Sequence, residues 1–159
     1  MSEQEKQTGR EAQMSNIKAA MNVAETVRST LGPSGMDKLL TNGNHHIVTN
    51  DGVTVLRELD TAHPGAQMMV EASQTQEAVC KDGTTSVVVL AGQMLALSQG
   101  LLMRGIHPRV ILRSFQAGKN LALEHLESQD IDIIDAAKTA LRGKAAERDL
   151  EYAAELCLK

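Results

Sequence analysis

Lys81-Asp82-Gly83-Thr84-Thr85-Ser86, followed by the apolar run 87–103, is the stretch on which the fold reading turns. A polar loop passes without a break into the most apolar segment of the chain. That segment is 17 residues long and contains Gln93, Ser98, Gln99 and two glycines. A membrane span needs about 20 apolar residues, so the run reads as a buried core helix. The loop then sits at a helix N-terminus, where free N–H groups and the positive end of the helix dipole suit an anion. Gly105-Ile106-His107-Pro108 breaks the helix.

Upstream, His63-Pro64 opens another helix, with Pro64 tolerated in its first turn and a weaker face of Ala66, Met69, Val70, Ser73 and Gln76-Glu77. Before it, Asn50-Asp51-Gly52 is a turn, and residues 53–59 form a short helix. Residues 38–40 and 46–49 pair as a β-hairpin across an Asn42-Gly43-Asn44 turn. Further upstream, Ile17, Ala20, Met21, Ala24, Val27 and Leu31 recur at three- and four-residue steps and predict an amphipathic helix. Thr8-Gly9-Arg10-Glu11 is a capping box at its start, and Gly32-Pro33 ends it. Residues 1–8 read as a disordered tail.

Downstream, a strongly amphipathic helix runs from about 108 to 126, with Val110, Ile111, Phe115, Leu121, Ala122 and Leu126 inward. A linker at 129–132 and short helices near 134–142 and 145–158 complete a fold that is mainly α with one small β-hairpin.

Composition agrees. The chain has 159 residues and a net charge of −4 from 16 Lys+Arg and 20 Asp+Glu, enough for one domain or a piece of one. With 42% hydrophobic and 23% charged residues it is globular rather than disordered. The mild acidity argues against a nucleic-acid partner. Aromatics are 1%, Phe115 and Tyr152 with no Trp, which favours helices packed closely through small residues over a β-sandwich or a base-stacking platform. The eight methionines read as gap-filling core.

Cys80 and Cys157 show neither CxxC nor metal-ligand spacing and read as two buried thiols of a reduced, intracellular protein. The first ten residues lack an apolar h-region, so no signal peptide is expected. His45 and His46 are adjacent, would point to opposite faces of a strand, and read as surface residues rather than ligands of one metal. His63 and His107 precede prolines and read as turn residues, and His125 as an exposed helical one. Asp130, Asp132 and Asp135 read as a solvated acidic run. Arg104 and Arg109 flank a loop and could serve a subunit contact.

Three polar loops carry the chemistry. In Leu31-Gly32-Pro33-Ser34-Gly35-Met36-Asp37-Lys38 two glycines let the backbone approach a ligand. Asn50-Asp51-Gly52-Val53-Thr54 and Asp82-Gly83-Thr84-Thr85-Ser86 supply hard carboxylate oxygens of the kind magnesium takes, and hydroxyl donors. These are ingredients of a nucleotide–magnesium site, although no Walker A loop is present. Singly, each loop reads as an ordinary turn or cap.

Taken in order, Gly9-Arg10-Glu11-Ala12-Gln13, the Leu31–Lys38 loop, Val48-Thr49-Asn50-Asp51-Gly52-Val53-Thr54, His63-Pro64, Asp82-Gly83-Thr84-Thr85-Ser86 and Gly105-Ile106-His107-Pro108 resemble the group II chaperonins, the archaeal thermosome and the eukaryotic cytosolic chaperonin. The resemblance covers residues 9–127 strongly, as the N-terminal ATP-binding segment of an equatorial domain, and 128–159, a short helical tail, weakly. It implies a role for each loop. Leu31, Gly32, Pro33 and Gly35 would contact ATP through their backbones. Asp51 would be catalytic, beside the γ-phosphate and the attacking water. Asp82 would ligate Mg2+, and Gly83, Thr84, Thr85 and Ser86 would bind phosphates. It further implies a cytoplasmic, ATP-hydrolysing protein-folding subunit. Its partners would be other chaperonin subunits in a homo- or hetero-oligomeric ring and unfolded client proteins, with no nucleic acid and no membrane.

The sequence departs from the family's pattern in two ways. Lys81 stands where the family usually has glycine; if that position needs a positive φ, lysine costs about 1 kcal/mol or more, and its alternative contribution is a positive charge near the phosphates. The chain also matches only the N-terminal equatorial segment, without an apical domain or the catalytic aspartate the family supplies from downstream. Faces that would pack on missing helices are therefore expected to be apolar and exposed. An alternative reading is a truncated, non-hydrolysing chaperonin-like protein that binds or regulates a complete chaperonin.

Overall fold

The chain folds into helices α1 (Gly9–Arg28), α2 (Gly52–Glu58), α3 (Pro64–Cys80), α4 (Thr84–Met103), α5 (Pro108–Glu127), α6 (Ile133–Leu141) and α7 (Leu150–Cys157), with strands β1 (Lys38–Asn42) and β2 (His45–Thr49) between α1 and α2 and a 3-10 turn (Ala145–Asp149) before α7. The structure, a computed structural model, describes residues 8–32, 34–42, 45–59, 61–143 and 145–158. Elements α1 to α4 with the hairpin form one compact unit, and α5 to α7 belong to a second.

In the first unit α1 packs on both α3 and α4, which also pack on each other. Ile17, Ala20, Val23, Ala24 and Val27 of α1 are buried. The core joins the last four of these to Val55 and Leu56 of α2, Ala66 and Met69 of α3 and Val88 of α4. The small residues expected from the aromatic-poor composition sit at the helix contacts. A Cβ on Gly92 would run into the Ala24 methyl. One on Gly65 would lie 2.6 Å from Asn16 O and 3.0 Å from its Cα. The hairpin is antiparallel, with Lys38 opposite Thr49 and Asn42 opposite His45. Gly43 and Asn44 of its expected turn, like Pro33 and residues 1–7, lie outside the described residues.

In the second unit α6 packs on α7, where Ala154 is fully buried and Lys138 Nζ lies 3.3 Å from Glu151 Oε1.

Several expectations need correction. Thr8 is the N-cap of α1, but its side chain makes no cap hydrogen bond, so the capping box does not form. Gly9, at φ +65, departs from the helical geometry that aims an N-cap hydroxyl at the third amide. Helix α1 also ends at Arg28, ahead of Gly32, and Leu31 lies past it and is 44% exposed.

Helix α4 is not buried all round. Thr84, Val88, Gly92 and Ser98 are buried, while Leu90, Leu97 and Met103 are more than 60% exposed. By length and composition it is the one described helix apolar enough to cross a membrane. In α5 only Ile111 is buried and Phe115 is half-buried, whereas Val110, Leu121, Ala122 and Leu126 are exposed. Periodicity specifies an amphipathic face, but covering that face needs a partner, and α6 pairs with α7 instead. Both cysteines are exposed, Cys80 and Cys157 each standing at the last residue of its helix, beyond the packed face. Of the described methionines only Met69 is buried, and Met36, Met68 and Met103 are exposed.

Two outcomes follow from this packing. Gly92→Ala should lower stability, because overpacking at Ala24 costs about 1–3 kcal/mol against about 1 kcal/mol gained in helix propensity. Adding Ala24→Gly should make the pair of changes cost less than their sum in urea melts. The uncovered faces of α4 and α5 should make the purified 159-residue chain bind the dye ANS and self-associate as its concentration rises. A dye-silent monomer by light scattering would contradict this.

Candidate functional site

Asp51 stands at the N-cap of α2. Its Oδ2 accepts from the Thr54 amide at 3.1 Å and from Thr54 Oγ1 at 2.7 Å, and its own N–H donates to Thr49 Oγ1 at 3.1 Å. The last residue of β2 thus ties the turn to the hairpin. Gly52 follows, buried, where a Cβ would collide with Thr85 Oγ1. Glycine is required there by close approach rather than by φ, and that approach seats the Asp51–Gly52 turn against the first turn of α4.

The loop before α4 is left-handed at two of its three residues, Lys81 at φ +58 and Gly83 at φ +75. Lys81 closes α3 through its N–H to Glu77 O at 3.1 Å. Asp82 is exposed, and its Oδ1 accepts from the Gly83 amide at 2.8 Å. Gly83 is the N-cap of α4 and offers no side-chain cap, so the first amides of α4 have no capping side chain among the described residues. Thr84 is buried, Thr85 half-buried and Ser86 exposed.

The first loop is closed by its own bonds: Met36 N donates to Ser29 O at 2.8 Å and Leu31 N to Arg28 O at 3.3 Å. Gly32 has φ +86, which suits glycine, and Gly35 is half-buried. Pro33 lies outside the described residues. The structure therefore seats Gly52, next to Asp51, against Thr85.

The donor set suits a hard divalent cation held beside an anion. Asp51 Oδ1 and Asp82 Oδ2 accept no hydrogen bond among the described residues. No group of three or more His, Cys, Asp or Glu side chains is assembled among them. Magnesium commonly takes one or two carboxylates, with phosphate oxygens and water completing its shell, and that is what these residues offer.

Some residues escaped sequence reading. Gln76 Nε2 donates to the Asp82 carbonyl at 2.9 Å; helical periodicity placed Gln76 on a face but could not show a bond across a helix end. His63 and His107 act as N-caps, each Nδ1 accepting at 3.2 Å from the amide two residues on, and Asp132 caps α6. The short polar side chain just before each helix, followed by proline in two cases, was the available signal.

Lys81 is the one described non-glycine residue with positive φ. Lys81→Gly should remove about 1–2 kcal/mol of backbone strain and give back roughly half as unfolded-chain entropy. A net gain of about 0.5–1 kcal/mol should appear as a higher denaturation midpoint; an unchanged or lower midpoint would mean the lysine side chain supplies a compensating contact.

The chain matches the model of the TCP-1/cpn60 chaperonin family over residues 23–159. It is 48% identical to the thermosome subunit beta of Thermococcus sp. strain KS-8 and 49% identical to the thermosome subunit of Methanopyrus kandleri; each match covers 95% of this chain and 29% of the relative. The thermosome subunit alpha of Archaeoglobus fulgidus is 46% identical over the same shares. The chain thus spans about 29% of the length of these curated relatives. With a match this long joined to a helical unit that carries the Asp51 and Asp82 turns, the chain belongs to the TCP-1/cpn60 chaperonin family.

Proposed function

We propose that this chain binds Mg·ATP as the equatorial, nucleotide-binding part of a cytoplasmic chaperonin subunit. The observation that carries the reading is the packing of Gly52 against Thr85, which puts the Asp51 turn beside the uncapped start of α4. In this reading the uncapped amides of Thr84, Thr85 and Ser86 donate to phosphate oxygens at a helix N-terminus. Asp82 presents its free carboxylate oxygen to the metal, and Asp51 orients water near the terminal phosphate. Leu31 and Gly35 contact the nucleotide through their backbones. Magnesium, when bound, neutralises phosphate charge. Assembly with other chaperonin subunits into a ring, coupling of hydrolysis to folding, and contact with unfolded clients belong to the whole subunit under the same proposal.

A second reading, binding without turnover, draws on Asp51 and Lys81. One oxygen of Asp51 is already committed to the Thr54 amide and hydroxyl, and the phosphate loop carries strain at Lys81.

A thermal melt with and without Mg·ATP separates these readings from a purely structural role. At about a hundred times its Kd a ligand stabilises by roughly 2.7 kcal/mol, which for a chain of this size raises Tm by about 5–10 °C. The rise should disappear in Asp82→Ala. Phosphate release by the same sample would favour hydrolysis, and a Tm rise without release would favour binding alone. A folded chain whose Tm does not move would overturn both.

A further inference from the structure

We infer that Gln76 is a positioning residue for the metal-facing carboxylate: its side-chain amide holds the backbone of Asp82 in the left-handed loop before α4. The inference rests on the Mg·ATP reading above and adds a residue outside the three loops.

The loop has little else to hold it. Lys81 and Asp82 are exposed and Gly83 only half-buried, so no core packing fixes the loop's shape. Its conformation is unfavourable for a lysine, because φ +58 brings Cβ against the following carbonyl. The remaining ties are backbone or local ones: the Lys81 amide to Glu77 O, the Val87 amide of α4 to Gly83 O at 3.0 Å, and the Gly83 amide to Asp82's own carboxylate. Among the described residues, the one side chain outside the loop that bonds to it is Gln76, whose Nε2 donates to Asp82 O at 2.9 Å.

Gly83 makes room for this bond. A Cβ there would lie 3.3 Å from Gln76 Nε2, so the residue that permits the left-handed turn also lets the amide come close. Gln76 itself is half-buried on α3, one turn before the loop, which restricts its rotamers and keeps the amide directed at the helix end. The backbone carbonyl of Asp82 is thereby anchored, Oδ1 is held by the Gly83 amide, and Oδ2 is left to face a cation. Without the donor, the strain at Lys81 favours relaxation of the loop and rotation of the carboxylate away from α4.

Gln76→Met keeps length and helix propensity and removes the donor, and Gln76→Glu does so at nearly identical size. Mg·ADP affinity is measured by calorimetry well below the melting range, with the Mg2+ concentration for half-maximal binding as a second readout. A residue that merely supports the fold would move Tm and leave both unchanged. Losing one net hydrogen bond should weaken Mg·ADP binding about fivefold in Gln76→Met and raise the Mg2+ requirement. Lys81→Gly, which removes the strain the bond opposes, should shrink the effect of Gln76→Met when the two are combined. Wild-type affinity in Gln76→Met and Gln76→Glu would overturn the positioning role while leaving the nucleotide site standing. An equal loss from Gln76→Met with and without Lys81→Gly would overturn the coupling to strain. Absence of Mg·ADP binding in the unmodified chain would overturn the site reading, and the role of Gln76 with it.

Discussion

The first unit depends on how closely α1 approaches its two neighbours. At Gly92 and Ala24 the helices touch with nothing larger than a methyl between them, and at Gly65 and Asn16 backbone meets backbone. Contacts this short leave no room for aromatic side chains, and the chain has only Phe115 and Tyr152: its buried core cluster is Ala and Val with Leu56 and Met69. Dispersion between closely set backbones substitutes for the burial that aromatic residues would supply. The arrangement tolerates little change in volume, because a packed interior transmits the strain of an added methyl group instead of absorbing it.

The candidate site inherits its geometry from this packing. Helix α4 is set against α1 by Gly92, and its first turn is then where Gly52 must approach Thr85. Val55 and Leu56 anchor α2 in the same core, so the Asp51 cap and the start of α4 are held by one set of contacts. The charged groups, Asp51 and Asp82, remain at the surface with Ser86, while Thr84 is buried and Thr85 half-buried. A rigid scaffold with exposed polar loops at its helix ends is a common way to offer ligand groups without the cost of burying charge.

Outside this unit the helices are regular but poorly covered. Helix α5 has the sequence pattern of an amphipathic helix and buries only Ile111. The outer face of α4 is likewise apolar and uncovered at Leu90, Leu97 and Met103. Large apolar side chains left this exposed are the kind of surface that promotes association. The chain spans about 29% of the length of its curated relatives, so most of their sequence lies outside the comparison.

Much was determined locally. The hairpin, the short helix after Asp51, the helix opening at Pro64 and the apolar helix after Gly83 all follow from turn residues and periodicity, which act over a few positions and are written in order along the chain. The motif order also carried the family. What the sequence could not determine depends on separation in space. Whether an apolar face is covered depends on a partner helix, so periodicity does not reveal the exposure of α5, of the outer face of α4, or of Cys80, Cys157, Met36, Met68 and Met103. The contact between Gly52 and Thr85, the left-handed backbone of Lys81 and the reach of Gln76 to Asp82 arise only once helices meet at fixed distances, because packing density and backbone φ are set by the whole assembly of elements and not by any one of them.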